Sequence, residues 1–300
     1  MELWIPITIA AAFLQNLRSA LQKHLQGRLG TRGASFVRFG YGFPVAILYV
    51  VLLQQLAGFA IPEINRTFAL WVVIGGLAQI FATIMLVHLF SLRNFAVGTA
   101  YSKTEPVQAA IFGFILLGEK LTVGAIGAII TGVIGVMLIS MARMPLSWKN
   151  TVTALASRTA LVGIASGAVF GISAVAYRSA SLSLNGPNSI MQAAMTLACV
   201  TTFQTIFMLV WMAWKDKGEI VTVLKTWRSS SLVGLASVFG SACWFTAMTL
   251  QQVAYVRALG QIELVFTFMA SYFLFHERIN RMEIFGCLLI VAGILGLLAG

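Results

Sequence analysis

The segment Leu121–Met141 has the sequence LTVGAIGAIITGVIGVMLISM, in which 21 residues follow one another without a charged side chain. A helix needs about 20 apolar residues to cross a hydrocarbon core that is roughly 30 Å thick. Apolar runs of similar length recur on both sides of this segment along the 300-residue chain. The segment is therefore predicted to be one membrane-spanning helix among several.

Working outward from this segment, ten such runs can be found, and they predict an all-α polytopic membrane protein with ten transmembrane helices. The other nine predicted spans are Trp4–Gln22, Ala34–Phe59, Phe68–Phe90, Ala96–Leu117, Thr159–Ala180, Asn188–Trp214, Ser230–Leu250, Ala254–Phe275 and Met282–Ala299. Most links between them are only a few residues long, which makes successive helices antiparallel neighbours. The two longer links are Ala142–Arg158 and Lys215–Ser229.

The composition excludes a soluble protein. Hydrophobic residues make up 59% of the chain and charged residues 10%, whereas a soluble domain carries about 25% charged residues. The mean hydropathy is +0.90. The three cysteines, Cys199, Cys243 and Cys287, lie inside apolar runs without the spacing of metal ligands. We expect them to be core residues that form neither disulfides nor metal sites.

The net charge of +11 comes from basic residues that interrupt the apolar runs one to four at a time. This pattern does not favour nucleic-acid binding, which requires Lys and Arg clustered on a solvated face. The loops after odd-numbered spans hold Lys23, Arg28, Arg32, Arg93, Arg143, Lys149, Arg158, Lys215, Lys217, Lys225, Arg228, Arg278 and Arg281. The opposite loops hold only Arg66 and Lys120. The positive-inside rule therefore predicts cytoplasmic odd loops and both termini outside.

The chain contains an internal repeat with a shift of 158 residues. Matched positions include Gly76 and Gly234, Glu105 and Glu263, Glu119 and Glu277, and Gly135 and Gly293; a shift of 160 superposes Arg18-Ser19-Ala20 on Arg178-Ser179-Ala180. Charged residues are rare inside membrane spans, so these matches are informative. They predict two domains, a five-helix repeat over residues 1–142 and a second over residues 158–300. Because five is odd, the second repeat is expected to be inverted in the membrane.

Within this layout, Leu117-Gly118-Glu119-Lys120-Leu121 is followed by Gly127, Gly132 and Gly135, and Phe275-His276-Glu277-Arg278 by Gly286, Gly293 and Gly296. With these motifs the whole chain resembles the drug/metabolite transporter superfamily, EamA type. The resemblance implies a secondary transporter of a bacterial inner (plasma) membrane that exports amino acids, other metabolites or toxic compounds. The family often has a proline before the apolar part of the fourth helix of each repeat. Pro106 supplies it in the first repeat, whereas Leu264 replaces it in the second.

Polar residues inside predicted spans are candidates for binding substrate or protons. Tyr101, Ser102, Glu105 and Gln108 have the spacing of one polar stripe on a continuous helix, which we expect to face a cavity. Further candidates are Lys103, Glu263, Arg257, Gln261, Trp244, His88, Arg18 and Arg178. The two glutamates either serve in proton coupling or in binding a substrate ammonium group, or they form a structural ion pair. The cations either bind a substrate carboxylate or phosphate, or neutralise the glutamates. Trp244 either lines the cavity or packs in the core.

Small residues at every fourth position predict close helix packing. They are Gly163, Gly167 and Gly171 in span six, and Gly124, Ala128 and Gly132 in span five.

An enzyme is not predicted, because the sequence has no GxSxG, HExxH or P-loop motif. A passive channel or facilitator is the alternative to a carrier, and an intramembrane enzyme is a weaker one. We expect no cofactor and no metal. The expected partners are a small-molecule substrate, the lipid bilayer and protons as a candidate coupling ion, but no nucleic acid. The protein is expected to be a monomer or a weak homodimer.

Overall fold

The structure is a computed structural model that describes residues 2–25, 29–91, 102–141, 158–215, 217–266 and 280–299. These residues form helices and connecting segments without a β-strand. The helices are α1 Trp4–Leu25, α2 Thr31–Gly40, α3 Phe43–Ala57, α4 Arg66–Ser91, α5 Glu105–Leu117, α6 Val123–Met141, α7 Arg158–Ser183, α8 Ser189–Lys215, α9 Lys217–Lys225, α10 Trp227–Leu250, α11 Val253–Leu259 and α12 Arg281–Ala299. Residues 262–266 are also helical.

In the described part of the chain, six helical stretches are long and apolar enough to cross a membrane. They are Arg32–Ala57, Arg66–Leu86, Ala160–Ser183, Ser189–Lys215, Trp227–Leu250 and Arg281–Ala299, and two shorter apolar helices are Glu105–Leu117 and Val123–Ile139. The predicted all-helical membrane class is therefore confirmed. The number of ten transmembrane helices stays a prediction, and α1, whose second half contains Gln15, Asn16 and Arg18, is not among the six.

The predicted span Ala34–Phe59 is interrupted rather than continuous. α2 ends at Gly40 and α3 begins at Phe43, so Tyr41 and Gly42 lie between them. Pro44, in the first turn of α3, has no N–H to donate to the carbonyl four residues earlier, which breaks a continuous helix. The amide of Gly42 instead donates to the carbonyl of Phe39 at 3.0 Å.

The longer link predicted over Lys215–Ser229 contains a short helix, α9, that the sequence analysis does not predict. Val223 is buried on this helix. Oε1 of Glu219 accepts a hydrogen bond from the amide of Gly33 at 2.7 Å, which attaches α9 to the start of α2. A short amphipathic helix has too few apolar residues to be distinguished, in the sequence, from a loop between two long spans.

The Leu-Gly-Glu-Lys-Leu motif ends α5. Gly118 has a φ of 67°, a conformation that glycine adopts without steric cost. The amides of Gly118 and Glu119 donate to the carbonyls of Phe114 and Gly113 at 3.0 and 3.2 Å. This is the Schellman arrangement that closes a helix C-terminus, so the motif acts here as a helix stop between two apolar helices.

The described residues form two compact units, and each unit draws on both halves of the sequence. Unit 1 comprises Met1–Ile80 and Ser173–Gln251, and unit 2 comprises Phe81–Ile172 and Gln252–Gly300. The division falls inside α4 and α7, so each of these helices contributes residues to both units. The predicted repeats, 1–142 and 158–300, describe sequence similarity rather than these units and stay a prediction.

In unit 1, α1 packs along α10, and α8 packs against α2, α3 and α10. Two repeat-matched glycines allow matched close approaches. A Cβ on Gly76 would lie 2.7 Å from Cδ1 of Phe203, and a Cβ on Gly234 would lie 2.9 Å from the backbone carbon of Tyr41. Thus α4 lies close to α8 at Gly76, and α10 lies close to the segment after α2 at Gly234.

In unit 2, α6 and α12 make the closest helix pair. A Cβ on Gly135 would lie 2.6 Å from the carbonyl oxygen of Gly286, and one on Gly293 would lie 2.7 Å from the carbonyl oxygen of Ala128. Gly135 matches Gly293 in the repeat of 158 residues, and Ala128 matches Gly286. The second contact is therefore the first with the two halves of the chain exchanged. The predicted small-residue stripe therefore packs at Ala128 and at Gly132, whose backbone also faces Gly293.

Candidate functional site

The candidate charges of unit 2 lie beside two turns of the chain. A turn at Lys103 and Thr104 precedes Glu105, the first residue of α5. At the matched position of the second half, α11 ends at Leu259, a turn follows at residues 260–261, and residues 262–266 are helical again. The expectation that Glu105 and Glu263 lie in the middle of continuous helices is therefore corrected: each carboxylate stands just after a turn.

At the second turn, backbone hydrogen bonds join residues three positions apart, so the chain is wound more tightly there than in an α-helix. The amide of Gln261 donates to the carbonyl of Ala258 at 3.1 Å, and that of Glu263 donates to Gly260 at 3.1 Å. The amide of Leu264 donates to the carbonyl of Gln261 at 3.0 Å, a bond that proline could not make. This explains why the two repeats differ at Pro106 and Leu264, since only the second turn uses the amide.

Each carboxylate forms an ion pair with a cation from the other half of the chain. Lys103 pairs with Glu263. Nε of Arg257 lies 3.1 Å from Oε1 of Glu105, although the two groups are not aligned for a hydrogen bond. We call these four residues the charge cluster. Helix α11, which carries Arg257, packs against α5, which Glu105 begins.

The charge cluster is largely removed from solvent. The side chains of Arg257 and Glu105 are 13% and 17% exposed, and those of Lys103 and Glu263 are 28% and 11% exposed. Two charges taken out of water together lose much of their hydration, and removing one partner leaves a costly unpaired charge. Lys103 and Arg257 thus lie against the two glutamates, and the choice between substrate binding and mutual neutralisation stays open.

Two buried amides lie beside this cluster in sequence and carry unsatisfied atoms. Nε2 of Gln108 donates to the carbonyl of Ile164 at 3.3 Å, but its Oε1 has no hydrogen-bond partner among the described residues. Nε2 of Gln261 is likewise buried without such a partner. Buried polar atoms are nearly always hydrogen-bonded. One acceptor and one donor are therefore available here to water or a ligand.

Three predicted site residues belong to unit 1. Nη1 of Arg178 donates to the carbonyls of Met248, Thr249 and Gln251 at 2.5, 3.1 and 2.7 Å. It thereby satisfies carbonyls at the C-terminus of α10, where a cation also complements the helix dipole. Nε1 of Trp244 donates to Oε1 of Gln15 at 3.1 Å. Arg18 is half-buried on α1.

The remaining candidates are dispersed. Ser102 is buried, and its carbonyl lies close to Gly167 in unit 2. His88 is exposed in unit 2. Tyr101 lies outside the described residues. The predicted stripe therefore keeps Ser102, Glu105 and Gln108 in one unit, around a turn rather than along one helix face.

Unit 1 contains a cavity that sequence reasoning missed. Its volume is about 20 Å³, room for about one water molecule, and it is partly open. Its lining includes Arg38, Gln79, Tyr177, Gln204, Ser237 and Phe245, and we call it the Arg38 cavity. Arg38 has no charged counterpart in the repeat, so the sequence gives it less weight than Arg18 and Arg178. Its position inside an apolar span was the available signal.

Long apolar helices with paired charges define an integral multi-pass membrane protein. The EamA-like transporter family matches the chain twice, over residues 2–141 and 157–299. The chain belongs to this family, within the drug/metabolite transporter superfamily, whose members are transporters and not enzymes. The resemblance found in the motifs is thus confirmed.

A solved crystal structure is similar over 98% of this chain and 97% of its own, with a TM-score of 0.71 and 15% sequence identity. At that identity the similarity shows the fold. No curated protein matches the chain.

Proposed function

We propose that the protein is a secondary active exporter that works by alternating access. Its substrates are small metabolites such as amino acids or other carboxylate-bearing or amphipathic compounds. The observation that carries the proposal is the charge cluster, in which each of two largely buried carboxylates, standing just after a turn, meets a cation of the other half. Interrupted helices form the substrate and ion sites of many secondary transporters.

An inverted repeat supports the alternating-access part of the proposal. The contacts Gly135–Gly286 and Gly293–Ala128 are related by exchange of the two halves. Reciprocal contacts of this kind are the mark of a two-fold relation between similar parts. With five spans in each half, the axis would lie in the membrane plane, so that the two conformations of the carrier are related by exchange of the repeats.

Glu105 and Glu263 are the proposed coupling groups. Protonation of Glu105 would cancel its attraction for Arg257, and the released guanidinium could then meet a substrate carboxylate. A zwitterionic amino acid offers both signs of charge, so it could replace both partners of an ion pair. Gln108 and Gln261 would add the neutral acceptor and donor noted above.

The proposed location is a bacterial inner membrane, with the odd loops in the cytoplasm and both termini outside. The distribution of Lys and Arg supports this orientation. A cysteine-labelling experiment on a single-cysteine variant checks it: a cysteine in the link between α3 and α4 should react with an impermeant maleimide from outside intact cells.

Counterflow in proteoliposomes tests the carrier mechanism. A panel of amino acids, organic anions and organic cations is first scored by thermal shift on the purified protein. The best probe is then loaded inside the vesicles, and uptake of its labelled form is followed. A carrier shows transient accumulation of label, whereas a channel shows only equilibration.

Glu105→Gln and Glu263→Gln test the coupling groups. Each should abolish accumulation driven by a pH gradient, while Glu63→Gln, a change at an exposed acid of unit 1, should not. Counterflow by the two variants shows whether they still fold and bind. Normal, pH-dependent transport by both variants would remove the coupling proposal.

A further inference from the structure

The short helix α9, Lys217–Lys225, connects the end of α8 to the start of α10. Both neighbours are long and apolar enough to cross a membrane. Because α9 follows one candidate span directly and precedes the next, it lies at a boundary of the bilayer. The matched link of the first half, residues 58–65, is not helical. The helix is therefore a feature of the second half alone.

One face of α9 packs against the rest of unit 1. Glu219 and Val223 are four residues apart, so they lie on the same side of the helix. The amide of Gly33 donates to Oε1 of Glu219, and Oη of Tyr41 donates to the carbonyl of Val223 at 3.2 Å. The acidic side chain of α9 is thus directed at the start of α2.

The other face of α9 is exposed and combines cations with apolar side chains. Lys217, Val221 and Lys225 follow one another at intervals of four residues, and Leu224 lies beside them on the same face. Val221 and Leu224 are 50% and 63% exposed, and both lysines are exposed. Helices with basic and apolar side chains together on the exposed surface are typical of the membrane interface.

A tryptophan with a cation stands at each end of α9. Trp214 and Trp227 are 80% and 56% exposed. Nζ of Lys215 lies 4.8 Å from the ring centroid of Trp214, and Cζ of Arg228 lies 5.5 Å from that of Trp227. Tryptophan is enriched at the level of the lipid headgroups. We call the exposed side chains of residues 214–228 the α9 surface.

The exposed charges of the α9 surface are all positive in the part of the chain that the structure describes. They are Lys215, Lys217, Lys225 and Arg228. Asp216 lies outside the described residues. Basic residues close to a membrane attract anionic lipids, and each strengthens binding by about fivefold.

We infer that the α9 surface binds the phosphate headgroups of anionic phospholipids in the surrounding bilayer, with its four cations in contact with the phosphates. Val221 and Leu224 lie against the upper part of the acyl chains. A lipid fits better than an acidic protein segment, because it supplies a phosphate and a hydrocarbon chain to a surface that presents cations and apolar groups side by side. The inference goes beyond the proposed function and holds for either orientation of the chain.

A fluorophore on α9 tests which lipids contact it. Val221→Cys, with Cys199, Cys243 and Cys287 replaced by alanine, is labelled with bimane and reconstituted in equal parts of phosphatidylglycerol and phosphatidylcholine, one of which is brominated as a quencher. Brominated phosphatidylglycerol should quench with an effective affinity about fivefold or more above that of brominated phosphatidylcholine. Leu56→Cys is the control, because Leu56 is 82% exposed in the last turn of α3, which has no basic residue. The two lipids should quench it about equally.

Removing charge from the α9 surface should remove this preference. Lys217→Gln/Lys225→Gln should bring the affinity ratio at position 221 close to one, whereas Lys217→Arg/Lys225→Arg keeps both charges and should keep the ratio. Arg66→Gln/Lys120→Gln removes two charges from exposed residues of the opposite loops and should leave the ratio unchanged. Added salt should lower the ratio, because it screens exposed charges.

The unlabelled protein with its native cysteines gives a second measurement. Its melting temperature in detergent should rise more with added phosphatidylglycerol than with phosphatidylcholine, and Lys217→Gln/Lys225→Gln should lose that difference. Equal quenching by the two lipids at position 221 would overturn the inference, as would a ratio that the glutamine variant leaves unchanged. Quenching by neither lipid would also overturn it, because α9 would then lie in water.

The lipid inference and the carrier mechanism can fail separately. The quenching experiment needs no substrate, so an absence of counterflow in the same vesicles leaves the lipid site standing. Counterflow without a preference for anionic lipid at position 221 leaves the carrier mechanism standing and contradicts the lipid site.

Discussion

The two compact units stabilise their buried cations in different ways. In unit 2, Lys103 and Arg257 lie against carboxylates, so each charge is cancelled within a few ångströms. In unit 1, Arg178 donates to backbone carbonyls and Arg38 to the amide of Gln79. The acceptors shown for these two arginines are neutral oxygens, whereas those of Lys103 and Arg257 are carboxylates. The contrast shows two ways in which this fold satisfies the donors of cations inside apolar helices: with a carboxylate from the other half of the chain, or with neutral oxygens.

The largest effect should come from breaking one ion pair of unit 2. Arg257→Gln leaves Glu105 buried without its cation, which should cost about 3–5 kcal/mol in the free energy of unfolding. The double variant Glu105→Gln/Arg257→Gln removes both charges and should recover most of that loss. SDS titration in mixed micelles measures both. A double variant as unstable as the single one would show that the pair does not act as a charge pair.

A smaller effect is expected from the arginine of unit 1 that caps a helix. Arg178→Met removes the donors to the carbonyls at the end of α10, and it should cost about 3 kcal/mol, since bonds from charged donors are stronger than neutral ones. Arg228→Met is the control, because that guanidinium lies over the ring of Trp227 at the other end of α10. It should cost less than about 1 kcal/mol. Equal losses would mean that the cap does not stabilise α10.

The smallest expected effect concerns packing. A Cβ on Gly135 in unit 2 meets a backbone oxygen at 2.6 Å, whereas one on Gly240 in unit 1 meets Cβ of Leu14 at 3.3 Å. Gly135→Ala should therefore cost about 1–2 kcal/mol, and Gly240→Ala less. Gly127, on the same helix as Gly135, has nothing within 4 Å of such a Cβ. If Gly127→Ala is as destabilising as Gly135→Ala, close helix approach is not the cause.

Apolar run lengths were sufficient to predict the membrane class, because bilayer thickness restricts helix length directly. The sequence also identified Glu105 and Glu263 as candidates, because acidic residues at matched positions of a repeat are rare in membrane spans. Their partners did not, because each ion pair joins residues about 150–160 positions apart and nothing local encodes which cation comes near. The turn at residues 260–261 was missed because the surrounding run is apolar and contains no proline.

Arg178 and Arg38 show two opposite limits of the repeat as a guide to functional residues. Arg178 was selected because it matches Arg18, yet its contacts are with helix-end carbonyls, which carry no sequence signature. Arg38 was given less weight because it has no match, yet it lines a cavity. A repeat identifies what two halves share, whereas a binding site can lie where they differ.

The long separation of the ion-pair partners imposes an order on biosynthesis. A ribosome adds roughly 5–20 residues per second, so Lys103 and Glu105 emerge roughly 10–30 s before Arg257 and Glu263 exist. During that interval the insertion machinery must shelter two charges whose counterions have not been translated.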